Sequence, residues 1–187
     1  MSFFLRISKG IDWFNEWVGV AMYWLCLAMS LIAAYNAMVR WIGGIFKWQL
    51  ASNTFIELQW YIFGIVFLLG ASYVLKRNGH VRIDLLFGRY SPRTQSWVDV
   101  IGFFVAFLPF YGFMTYTTFH FAQKSWQTLE ISPDPGGLPY YPIKTIIPIA
   151  FALLLIQGIS ELIKRIAHLL GNEDYAPGHF QSSREEL

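Results

Sequence analysis

The sequence predicts an all-α integral membrane protein: four transmembrane helices, short interfacial amphipathic helices, and both termini in the cytoplasm. Three observations point there. The 187 residues are 55% hydrophobic and only 14% charged, where a soluble domain carries about 25% charged residues. The charges avoid four long apolar stretches, as they must where an ionised side chain meets hydrocarbon. Lys and Arg also crowd the flanks of one side. The same composition, with 19% aromatics and a mean hydropathy of +0.41, is incompatible with disorder or low complexity. A net charge of +2 gives no basis for nucleic-acid binding. A single cysteine, Cys26, excludes an internal disulfide and any Cys-ligated cluster, and reads as a packing residue.

The spans follow in order. The first covers Trp17 to Val39, the second Leu58 to Leu75, the third Val100 to Gln123. The fourth has an uncharged core from Thr145 to Ser160, roughly 24 Å of helix at 1.5 Å per residue, and must extend back to about Pro142 to cross. Lys144 snorkels outward there, and Tyr140 and Tyr141 suit the headgroup layer. The first span is not a cleaved signal: its apolar run exceeds an h-region, and Asp12 and Glu16 directly precede it. Residues 1–171 thus form one four-helix membrane domain with spans at about 17–39, 58–75, 100–123 and 142–160, followed by a polar tail at 172–187.

Orientation comes from counting basic residues. Arg6, Lys9, Lys76, Arg77, Arg82, Arg89, Arg93, Lys164, Arg165 and Arg184 lie on the side of the termini, against Arg40, Lys47, Lys124 and Lys144 opposite. The positive-inside rule places the first group in the cytoplasm. Tryptophans agree, since all but Trp24 sit at or beyond span ends, as an interfacial belt requires.

Between spans, residues 41–57 mix apolar residues with Lys47 and Gln49, a pattern for a short helix flat on the outer interface. The loop 76–99 has similar character until Ser91-Pro92, where Ser91 caps a helix that Pro92 opens. Residues 132–139, Ser-Pro-Asp-Pro-Gly-Gly-Leu-Pro, are a turn cluster that cannot be helical. Pro109 and Pro148 each remove a backbone donor inside a span and are expected to kink it.

The chemistry is defined by absences. A transporter or proton channel places ionisable groups inside the membrane core, and the four uncharged stretches hold none. No phosphate loop, zinc-protease motif or nucleophile with a base is present. No catalytic residue, metal ligand or cofactor is assigned, and the chain reads as a scaffold serving a partner rather than an enzyme. Candidate partner-facing positions are Glu57, Tyr61, Gly64 and Ala71 along span two, and Gln157 in span four, because helices in lipid associate through small and polar residues. The same stripe would equally serve packing inside the bundle. Glu161 can pair with Lys164 or Arg165 at what reads as a solvated end. Haem ligation would need two histidines at matched depth; His80, His120, His168 and His179 do not provide them.

The stretch from Leu75 to Leu86, with Gly79, His80, Val81, Arg82, Ile83 and Asp84, resembles the signature of the DctQ-like small membrane subunit of tripartite ATP-independent periplasmic (TRAP) transporters. So do Glu57-Leu-Gln-Trp60, the run Pro135-Gly-Gly-Leu-Pro139, and the path through Pro142-Ile-Lys144 and Pro148 to Gln157-Gly158. The resemblance covers nearly the whole chain. It implies a bacterial inner-membrane importer of three parts: a periplasmic binding protein (DctP-like) that delivers an organic acid, a large membrane subunit (DctM-like) that moves it on a sodium gradient, and this chain as the brace and lipid-embedded anchor of the large subunit. It further implies loop-setting or partner-contact roles for Gly79, His80, Arg82 and Asp84, and outer-loop roles for Gly136, Gly137, Pro139 and Lys144. Two other readings stay open on the residues alone: a haem- or quinone-associated anchor of a redox enzyme, and an oligomeric channel.

Overall fold

The computed structural model describes residues 2–47, 52–77 and 90–175. Along it run α1 (Ser2–Phe46), α2 (Asn53–Lys76), α3 (Pro92–Gly102), a π-helical turn (Phe103–Phe107), α4 (Leu108–Thr128), α5 (Tyr140–Leu169) and a 3-10 turn (Glu173–Tyr175). α3, the π turn and α4 are continuous, so four helices are long and apolar enough to cross a membrane.

The boundaries have local causes. Ser52 caps α2 by accepting from the Thr54 N–H, and Ser91 caps α3 ahead of Pro92 by accepting from Thr94, each satisfying a first-turn donor. Leu129 closes α4 in the left-handed region at φ 46°. Within the third crossing, the Leu108 N–H reaches back to the Phe103 carbonyl, five residues away. This wide turn directly precedes Pro109, whose ring crowds the carbonyl four residues back and whose nitrogen cannot donate. Pro148 lies buried inside α5, which runs on through it.

Every helix extends past the span expected for it. α1 starts at Ser2 rather than near Trp17, and the third crossing begins at Pro92 rather than Val100. A charge-free window ends at the first ionised side chain, whereas a helix continues wherever that side chain finds a partner. Of the stretch expected to form a separate interfacial helix, residues 41–46 finish α1 and 53–57 begin α2.

α5 is the centre of the bundle, packing against α1, α2, α3 and α4, while α1 also packs on α2. It carries more buried side chains than any other helix, among them Ala150, Leu154, Gln157, Ser160, Lys164, Arg165 and His168. The helices around it keep large apolar side chains outward, such as Trp24, Phe67 and Val105, as lipid requires. Cys26 is also exposed and does not belong to the buried core of the bundle.

Candidate functional site

Two polar clusters occupy opposite ends of the bundle. At the end where α1 begins and α5 finishes, Ser8, Asp12 and Asn15 face Gln157, Ser160, Glu161 and Lys164. The spacing explains the match: positions 8, 12 and 15 lie on one face of α1, and 157, 160, 161 and 164 on one face of α5. One Asp12 carboxylate oxygen accepts from Gln157 Nε2 at 2.9 Å and Ser160 Oγ at 3.0 Å. The other meets Lys164 Nζ at 2.7 Å, and Lys164 also reaches Glu161 at 2.7 Å. Asn15 Nδ2 donates to Gln157 Oε1 at 2.7 Å, and the Ser8 and Ser160 hydroxyls stand 2.7 Å apart. Ser8, Asn15, Gln157 and Ser160 are fully enclosed.

The seam continues around α5. Arg165 Nε lies 2.8 Å from Asp99 of α3, and Ser96 Oγ lies 2.8 Å from His168 Nδ1. Glu16 of α1 holds both Lys76, in a short contact, and Arg77 at 2.6 Å, at the end of α2. Acidic Asp12, Glu16, Asp99 and Glu161 thus face basic Lys76, Arg77, Lys164 and Arg165. These four carboxylates and four cations balance one another, which is what allows the buried ones to leave water.

At the opposite end, α2 holds the α4–α5 loop. Glu57 is buried and its carboxylate accepts from the Leu138 N–H at 2.5 Å and from the Ser132 hydroxyl in a shorter contact. Tyr61 donates to the Pro139 carbonyl at 2.8 Å, Thr54 to Gly136 at 2.6 Å, and Asn53 to Pro135 at 3.2 Å. The loop is narrowed by an antiparallel bridge between Ile131 and Pro139. Gly136 takes φ +75°, and a Cβ on Gly137 would collide with the Ser132 side chain and come within 2.9 Å of Glu57. Beside it, Glu130 bonds Lys144 at 2.5 Å and Ser125 at 2.9 Å. The Lys144 bond first, then that of Ser125, holds the Glu130 carboxyl below its ordinary value.

The residues singled out by sequence therefore fall in different places. Glu57 and Tyr61 grip the α4–α5 loop of their own chain, together with Gly136, Gly137 and Pro139. Gly64 lies 4.0 Å from Ile143 of α5 across its missing Cβ, and Ala71 is half-buried. Gln157 is enclosed at the α1–α5 contact, so its amide serves this chain's own packing. Lys164 is buried and ion-paired, not solvated. Lys144 pairs with Glu130 beyond the end of α4 and lies over the Phe121 ring, 4.5 Å from its centroid. Gly79, His80, Arg82 and Asp84 lie outside the described residues.

Sequence reasoning missed Ser8, Asp12 and Asn15, having placed them before the first span. Their shared face, together with Glu16, was the available signal.

Apolar spans held together by paired charges at one end and a clamped loop at the other define a multi-pass helical membrane protein. The family described as tripartite ATP-independent periplasmic transporters, DctQ component, matches residues 29–168, about three quarters of the chain. The chain belongs to the DctQ family, a family of transporter subunits and not of enzymes. No curated protein and no solved structure matches it.

Proposed function

We propose that this chain is the small permease subunit of a sodium-coupled TRAP importer of an organic acid in the bacterial inner membrane, with both termini cytoplasmic. In this reading it braces and anchors a DctM-like large subunit, and the loop gripped by Glu57 receives a DctP-like binding protein on the periplasmic side. Family membership supports the assembly. The observation that supports a bracing role is the engagement of Asp12, Lys164, Asp99 and Arg165 with one another, an arrangement that fixes helices instead of carrying an ion between them.

The bracing surface is α1. Its 45 residues measure about 68 Å at 1.5 Å per residue, against about 40–45 Å for a bilayer with its headgroups. Trp17, Trp24, Leu31, Met38 and Ile45 recur every seven residues and all stand exposed. From Trp17 to Ile45 the row runs about 42 Å, the full thickness of the bilayer, which suits a second long helical protein lying alongside.

Co-expression with the large subunit tests this. Affinity purification from mild detergent is expected to recover the two at a fixed ratio, and pairing Trp24→Glu with Leu31→Glu to abolish recovery while the chain itself still inserts. A chain that purifies alone, or uptake in reconstituted vesicles that proceeds without it, would overturn the proposal.

A further inference from the structure

A cleft of about 630 Å³ opens between the third crossing and α5, with Leu75 at the end of α2 on its rim. Its walls are Val98, Gly102, Phe103, Ala106, Phe110 and Leu162. Val98, Gly102, Ala106 and Phe110 are exposed, so the cleft opens to the lipid-facing surface. From Asp99 to Tyr111 it runs about 18 Å at 1.5 Å per residue, close to the roughly 15 Å depth of one hydrocarbon leaflet.

The cleft is apolar along its length and charged at one end only, where Asp99, Glu161 and Arg165 line it. Arg165 lies four residues before the end of α5, about 6 Å along the axis, which is the level of lipid headgroups in a helix of this length. Its side chain is only 6% exposed, and its Nε is 2.8 Å from Asp99. A guanidinium carries five N–H donors, and its Nη groups make no hydrogen bond to the described residues. Arg165 lines the cleft, and a phosphate oxygen pair is the acceptor that fits a guanidinium fork.

We propose that this cleft is a phospholipid site: one acyl chain lies between the third crossing and α5, and Arg165 binds the phosphate. Gly158 and Phe107 shape its floor. The Phe107 ring sits directly on Gly158, where any Cβ would collide with it, and this lets the third crossing approach α5 at the closed edge of the cleft. The site is independent of the transport role and is read on the chain itself.

The test uses the full chain, delipidated in mild detergent and given either phosphatidylglycerol or the diacylglycerol with the same acyl chains. Native mass spectrometry is expected to show one retained phosphatidylglycerol, held about tenfold more tightly than the diacylglycerol, as charge-assisted phosphate binding requires. Gly102→Leu places a side chain where a Cβ meets nothing within 4 Å. It fills the cleft without disturbing the helices, and should remove the adduct with Tm unchanged. Replacing the pair together, Asp99→Asn with Arg165→Gln, should abolish the preference for phosphate. Equal retention of both lipids, or an adduct indifferent to Gly102→Leu, would overturn the proposal. So would a photoreactive residue at Val98 that captures a polypeptide instead of lipid in intact membranes.

Discussion

The two ends of this bundle use carboxylates in opposite ways. Around Lys164 and Arg165, Asp12 and Asp99 bind cations of another helix, Glu161 binds Lys164 within α5, and charge answers charge. At the loop end, Glu57 binds a backbone N–H and a hydroxyl; no cation pairs with it among the described residues. The first arrangement fixes helix against helix. The second fixes an irregular backbone against a helix, at a place where turn residues had to be given hydrogen bonds. Lipid explains the division. Apolar side chains gain nothing by leaving hydrocarbon for one another, so the helix contacts need polar and ionic pairs, whereas a loop at the surface needs only its amides satisfied.

If the ends differ in this way, removing one charge should hurt most where charges balance. Lys164→Met leaves Asp12 and Glu161 facing each other without their shared cation, and is expected to cost about 3–5 kcal/mol, the range for breaking one side of a buried pair. Thermal unfolding in detergent checks it, and adding Asp12→Asn with Glu161→Gln should restore much of the loss. A smaller effect is expected from Gly137→Ala, about 1–3 kcal/mol from the collision with Ser132 and Glu57. It should appear as faster proteolysis of the α4–α5 loop with the α1–α5 contact intact.

Smaller still is Glu57→Gln. An amide can accept from Leu138 through its oxygen, but it loses the charge-assisted bond, for about 1 kcal/mol. Hydrogen exchange at the Leu138 amide should accelerate while exchange in α5 does not change. The least effect is that of pH on Glu130, whose folded pKa is depressed. Its contribution is complete above the ordinary carboxylate range and is lost as pH falls through the lowered value. Loop protection should therefore decline below about pH 4, and Lys144→Gln should remove that decline. If acid instead loosened the α1–α5 contact first, the contrast between the ends would be wrong.

Much of the fold was legible in the chain. The four crossings follow from the positions that charge avoids, the Ser91-Pro92 start of α3 from cap chemistry, and the non-helical loop from Pro and Gly. The candidate sites were less so. Gln157 and Glu57 were visible as polar residues in apolar surroundings, but not which neighbour they serve. Asp12 and Asn15 looked like flanking residues because a window of hydropathy treats a charge as an end. The helix treats it as a contact, because Lys164 arrives from a position 152 residues further along the chain. Lys164 and Glu161 looked solvated for the same reason.

What the sequence by itself determined is the class of solvent: which stretches face hydrocarbon, where the backbone must turn, and which family the chain belongs to. Such properties are local, set by side-chain transfer energies and backbone sterics within a few residues. Only the tertiary structure decided which charges neutralise one another, that Glu57 holds a loop, and that a lipid-sized cleft ends on Arg165. Those depend on distances between residues far apart in the chain, and a single amino-acid sequence does not contain those distances until α5 has packed against every other helix.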